Sequence, residues 1–213
     1  MYKEIGLEIE AFVLNEDKEI VDPSDYGLPI DESGYLLEVR TDPHRAPHYL
    51  FGDIIGRLQQ ITEELQERSL TIDLVDYHRP TRKEKEKFLI DHGKHPERTF
   101  SIYSKTGSIN FNLWTAGLHV HFSEESMKYI TKDQREITFY NQVNIPFIVR
   151  SLDEIFKDQI KRSKRRMGLY RLKTHGFEYR SLPSSVVLVP FYNKDYEAIY
   201  RFCQVLYRIF WNS

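Results

Sequence analysis

The chain has 213 residues, with 30 Lys or Arg against 32 Asp or Glu and a formal charge of -2, a balance that argues against a coat for nucleic acid or anionic membrane. Cys203 is the single cysteine, so no intrachain disulfide can form, and no apolar run approaches the roughly 18 residues of a membrane span. Charge where a signal peptide needs an apolar stretch, and a length with no internal repeat, point to a soluble cytoplasmic protein with one domain over 1–213.

Taken in chain order, Gly6 to Leu14 alternates as a strand, Val21 to Gly34 carries loop residues, and Tyr35 to Arg40 alternates again. Beyond Pro43 and Pro47 a helix is predicted to about Arg68, because Leu50, Ile54, Ile55, Leu58, Ile61 and Leu65 recur at three- and four-residue spacing. Thr71 to His78 reads as a strand and the charged Thr81 to Arg98 as a solvated helix or loop. Ser108 to Ser123 gives one long or two short strands. Thr131 to about Arg162 is predicted as a helix with Asp133 in its first turn and a kink at Pro146. Phe177 to Leu182 is a last strand, and Tyr192 to Trp211 a closing amphipathic helix whose aromatic residues suit core packing or a subunit contact. Strands without regular helix alternation make an α+β class.

Four of these strands share a feature. Residues two apart on a strand face the same side. Leu7, Ile9 and Ala11 therefore oppose Glu8 and Glu10, and Leu37 and Val39 oppose Glu38 and Arg40. Likewise Leu118, Val120 and Phe122 oppose His119, His121 and Ser123, while Phe177 and Tyr179 oppose Glu178 and Arg180. Any one such pair is ordinary on the wet face of an antiparallel sheet. Gathered on one face, however, the carboxylates repel unless cations intervene. Carboxylate with imidazole is ligand chemistry for a divalent metal, and arginine suits phosphate or carboxylate. The pattern predicts a metal–phosphate cup.

At these residues the sequence resembles a known superfamily. GLEIEAF (Gly6 to Phe12) is similar to the opening metal strand of the glutamate–cysteine ligases and glutamine synthetases, LLEVRTDPH (Leu36 to His44) to the second acidic strand of the former, and TAGLHVHFS (Thr115 to Ser123) to their Gly-x-His-x-His strand. RRMGLYRLKTHGFEYRSLPSS (Arg165 to Ser185) resembles most the phage-type COOH–NH2 ligases, or type 2 amidoligases. The resemblance implies an antiparallel, half-barrel-like sheet with helices on one face and catalysis on the other. It implies that Glu8, His119 and Glu178 hold a metal bridging nucleotide phosphates. Glu10 and Glu38 would hold a second metal nearer the carboxylate substrate. Arg180 would face the transferring phosphate, joined by Arg166 and Arg171. Arg40, His121, Arg165, Tyr170 and Ser181 are the binding candidates. The third acidic ligand of the second metal has no clear match; Asp31, Glu32 and Glu124 are candidates. Glutamine synthetase is also much longer, and its separate N-terminal domain has no counterpart here.

The implied chemistry is ATP-dependent joining of a small-molecule or peptide carboxylate to an amine through an acyl phosphate, with Mg²⁺ and Mn²⁺ as a substitute. The cell could be a virus-infected one, and a homo-oligomer stays open because related sites are completed by a neighbouring subunit. Two rivals remain: a phosphotransferase of guanidino kinase type, and a non-catalytic protein that kept the fold. Lys161 to Lys173 holds seven basic residues in thirteen; it suits a solvated helix end, a phosphate-binding segment or, least well in a near-neutral chain, a nucleic-acid patch. His92 and His95 read as surface loop because no cysteine accompanies them. His175 and Glu178 would face opposite sides of a strand.

Overall fold

Alternation in Gly6–Leu14 yields the longest strand among the described residues, β1 (Lys3–Leu14). The computed structural model describes residues 3–31, 35–89, 100–103, 113–124, 128–132, 136–140, 144–173 and 176–213. After β1 come β2 (Ile20–Val21), a 3₁₀ turn (Pro23–Tyr26), β3 (Leu37–Arg40), α1 (Pro47–Glu67), β4 (Thr71–Asp73), β5 (Tyr77–His78) and α2 (Arg82–Leu89). Next are β6 (Phe100–Ser101), β7 (Trp114–Thr115), β8 (Gly117–Glu124), β9 (Lys128–Lys132) and β10 (Glu136–Tyr140). The chain continues through α3 (Ile145–Ile155), α4 (Lys157–Arg162), β11 (Leu169–Lys173), β12 (Gly176–Pro183), α5 (Ser185–Tyr192) and α6 (Tyr196–Trp211).

The main sheet runs β2-β1-β8-β12-β11-β6, with β3 and β4 also on β1, and every pairing is antiparallel. The four strands singled out by alternation are thus neighbours, in the order β3-β1-β8-β12. Their apolar residues, among them Leu7, Ile9, Val120 and Phe177, are buried in one core with the inner faces of α1, α3 and α6. Of the predicted stripe on α1, Leu50, Ile54, Leu58, Ile61 and Leu65 are buried and Ile55 is half-buried. Pro47 opens that helix, where a missing N–H is harmless. A second, smaller cluster joins Phe12, Leu36, Trp114 and Ala116, with Tyr35 stacked on Trp114 at 4.5 Å between centroids.

The helix expected from Thr131 is not there. Residues 128–132 and 136–140 form a separate two-stranded antiparallel sheet, in keeping with their β-branched and aromatic content. Helix begins only at Ile145, where the Asn144 side chain accepts from the N–H of Phe147. Pro146 sits in that first turn rather than at a kink. Residues 71–78 make two short strands instead of one. The basic segment after α4 holds a strand, β11, and an unforeseen helix, α5, precedes α6. Asp133, His92, His95, His175 and Glu32 lie outside the described residues.

Candidate active site: a polar cup on the sheet

Register brings the polar residues together. Glu8 is paired with Arg40 on one side and His119 on the other, Glu10 with Glu38, and Glu178 with His121 and Arg171. His121 Nε2 lies 3.2 Å from Glu8 Oε1, and His119 Nδ1 lies 3.2 Å from Glu178 Oε1 and 3.4 Å from Glu8 Oε2. Among the described residues one set, Glu8, His121 and Glu178, offers ligand atoms that all lie within 4.8 Å of one another. His119, which the resemblance put in that set, stands between Glu8, Glu178 and Glu10, the last 3.5 Å from its Nε2. Three acceptor atoms so close suit a divalent ion, and carboxylate with imidazole suits Mg²⁺ or Mn²⁺ better than a soft metal.

Cations ring this set. Arg180 Nη1 donates to Glu178 Oε1, Lys173 Nζ is 3.1 Å from Glu178 Oε2, and Arg171 Nη1 is 3.8 Å from the same atom. Arg40 Nε pairs with Glu38 Oε1 and lies 3.5 Å from Glu8 Oε1. Although burial opposes ionisation, the Glu8 carboxyl is held well below the usual range by hydrogen bonds to His119 and His121. Glu178 is also lowered against its burial, chiefly by the charge of Arg180, with Lys173 adding to it. Burial and then the Arg180 charge push His119 down to about 3, so its ring stays neutral and can offer a lone pair.

Glu10 and Glu38 behave oppositely. Burial, reinforced by Asp31, pushes Glu10 up to about 8, even though its Oε2 accepts the Gly117 N–H at 2.7 Å. Burial and the Glu8 charge push Glu38 up to about 7. Asp31 raises both, so of the two described acidic candidates, Asp31 and Glu124, it is the one felt at this end of the cup. Glu124 pairs with Lys3 at the opposite end of β8.

Three candidates sit elsewhere. Tyr170 pairs with Tyr179 and packs against the core on the helix side. Ser181 is fully buried and its Oγ accepts the N–H of Leu169 at 2.9 Å. Arg166 is exposed at the turn before β11. Arg165 reaches inward instead, donating to Thr115 Oγ1 at 3.0 Å and to the Arg180 carbonyl at 2.6 Å.

Lys173 was not singled out from the sequence, although alternation with Arg171 would have put both on one face once β11 was read as a strand. Asp76 was missed as well; its carboxylate accepts from the Ser185 N–H at 3.0 Å and from Ser185 Oγ at 2.7 Å, a long-range pairing without a local signature. The same holds for Asp153 of α3, fully buried, which accepts from Tyr179 Oη at 2.6 Å.

The family model described as "Phage phiEco32-like COOH.NH2 ligase-type 2" matches residues 85–193, just over half of the chain, and covers His119, His121, Arg171 and Glu178 to Arg180. No curated protein matches the chain.

Proposed function

The chain belongs to the phage-type COOH–NH2 ligase type 2 family, and on that premise we propose that it is an ATP- and divalent-metal-dependent carboxylate–amine ligase. The observation that carries the reading is the convergence of Glu8, His121 and Glu178 within 4.8 Å, with His119 beside them and Arg171, Lys173 and Arg180 around Glu178. This is what phosphoryl transfer asks of a protein: positioning and neutralisation of charge rather than covalent chemistry.

In this reading Glu8, His119, His121 and Glu178 would hold one metal ion, and Glu10, Glu38 and Asp31 would face a second. Mg²⁺ is the proposed ion, with Mn²⁺ in its place. The bound ions would supply Lewis-acid neutralisation of phosphate oxygens. Arg180 would face the transferring phosphoryl group, with Arg171 and Lys173 on neighbouring phosphate oxygens. Arg40, 63 % exposed in its side chain at the edge of the cup, meets the substrate carboxylate. That carboxylate attacks the γ-phosphorus and ADP leaves. The amine then attacks the acyl carbon, phosphate leaves, and the nitrogen loses a proton.

We place this chemistry on a glutamine synthetase-like half-barrel formed by the whole chain as one catalytic domain in the cytoplasm. The substrates are a small-molecule or peptide carboxylate and an amine. No described helix is long and apolar enough to cross a membrane.

The test is phosphate release from ATP with Mg²⁺ or Mn²⁺ across pooled carboxylates and amines, read by mass spectrometry, with Glu178→Ala as control. Release that requires both partners, with a product one water lighter than their sum, supports the ligase. Release with a phosphorylated single substrate replaces it by a kinase, and no release with no ATP–metal binding replaces it by a non-catalytic protein.

A further inference from the structure

One polar residue of the cup is turned away from any ligand and into the backbone. On β12 the register against β8 shifts between Tyr179 and Leu182: Tyr179 is opposite Val120 but Leu182 is opposite Leu118. One extra residue is therefore carried in the stretch that contains Arg180. A bulge of this kind unpairs backbone groups and re-aims the side chains on it. The Arg180 carbonyl lies in this stretch, and it accepts from Arg165 Nη2 at 2.6 Å. The other terminal nitrogen, Nη1, donates to Thr115 Oγ1 at 3.0 Å, just before β8 begins.

Gly117 provides the space. A Cβ built there would stand 2.5–2.7 Å from the guanidinium of Arg165, closer than side-chain carbons ever come. The planar group thus lies flat over the glycine, spanning β7 and β12. Glu10 and Asp76 are the carboxyl groups beside it, and Asp76 is itself fixed by the first residue of α5 through two hydrogen bonds from Ser185. Both ends of the fork are committed inside the protein.

We propose that Arg165 is a positioning residue: it holds the bulged backbone of β12 and so sets the aim of Arg180 at the reacting phosphoryl group, instead of binding phosphate itself. The proposal rests on the ligase reading for its kinetic test. A lysine in its place keeps the charge but has no fork to span two acceptors, and a misplacement of about 1 Å in a catalytic group lowers the rate about 10²-fold.

The experiment measures kcat and KM for ATP in wild type, Arg165→Lys, Arg165→Ala, Gly117→Ala, Arg180→Ala and the Arg165→Ala/Arg180→Ala double variant, with thermal melts of each. For Arg165→Lys and Arg165→Ala, kcat is expected to fall about 10²-fold while KM for ATP is nearly unchanged. Gly117→Ala, which keeps the arginine and displaces it, shifts kcat the same way. In the Arg180→Ala background, removing Arg165 should cost no more than about twofold further, because the two act through one geometry. A KM for ATP raised tenfold or more at unchanged kcat, or losses that multiply in the double variant, would overturn the proposal. Crystal structures of wild type and Arg165→Lys give a readout independent of turnover. A displaced Arg180 guanidinium supports the positioning role, and an unmoved one overturns it. If wild type itself turns over no ATP, the ligase reading fails separately and the structures alone decide the role of Arg165.

Discussion

Glu8 and Glu178 stay ionised because histidines and basic side chains face them, whereas Glu10 and Glu38 are pushed up to about 8 and about 7 by burial and neighbouring carboxylates. A cation entering beside Glu10 and Glu38 must displace their protons, so its affinity should fall as pH drops from about 8 to about 6. Calorimetric titration with Mn²⁺ in two buffers of different ionisation enthalpy would count the protons released. Binding at pH 6.5 with no proton release would put the ion away from these two residues. Glu178→Ala and Arg180→Ala should each lower turnover about 10²–10³-fold while leaving the thermal melt close to wild type; a variant with wild-type ATP-dependent activity would remove that residue from the site. Asp153 titrates away from the cup. Burial raises its carboxyl, so the folded state favours the neutral form. The stability this contributes is complete below the ordinary carboxylate value and is lost as pH rises through the raised one. Asp153→Asn keeps an acceptor for the Tyr179 hydroxyl without the ionisation, so its melting temperature should gain on wild type with increasing pH. A constant difference from pH 4 to pH 8 would count against this. The carboxylates and histidines of the cup were legible because alternation sorts them from Leu7, Ile9 and Val120. Asp76, Asp153 and Arg165 were not readable in these roles, since each finds its partner through the fold.

Helix α1 shows what periodicity delivers at the scale of an element. Five of its six predicted apolar positions are buried, Ile55 is half-buried, and Leu58 has no exposed surface. Leu58→Ala should destabilise by about 2–5 kcal/mol, measured by urea denaturation; a loss below 1 kcal/mol would mean that the helix shifts to close the cavity. The hairpin of β9 and β10 shows where periodicity misled. Tyr129, Ile130 and Thr131, like Ile137, Thr138 and Phe139, are apolar or β-branched in short runs that satisfy helical spacing about as well as strand alternation. Asn144 and Pro146 carried the true start signal, a side-chain cap followed by a proline in the first turn. Strand β11 was hidden because its charges suggested solvent. In the cup, charge and burial coexist, and Arg171 is 9 % exposed.

Across the whole molecule the family match begins at residue 85, so Glu8, Glu10 and Glu38 rest on sheet geometry rather than on that match. The register Glu8↔His119 joins β1 to the matched half, and Glu10↔Glu38 brings β3 alongside β1. If the two halves share one metal site, Mn²⁺ should raise the melting temperature, since a ligand of the folded state stabilises it by mass action. The rise should be lost both in Glu178→Ala, within the matched half, and in Glu8→Ala, outside it. A shift that survives Glu8→Ala would confine the ion to the C-terminal half. The β1–β8 pairing also has a temporal side. Glu8 meets His119 across 111 residues of chain, and Glu178 completes the group later still. During synthesis β1 leaves the ribosome with its long edge unpaired and must wait for strands made much later. Such non-local pairing slows folding, and a waiting edge strand invites aggregation. Glu8 and Glu10 therefore have a second consequence: two charges on β1 help to keep it from pairing with the wrong neighbour before β8 has been built.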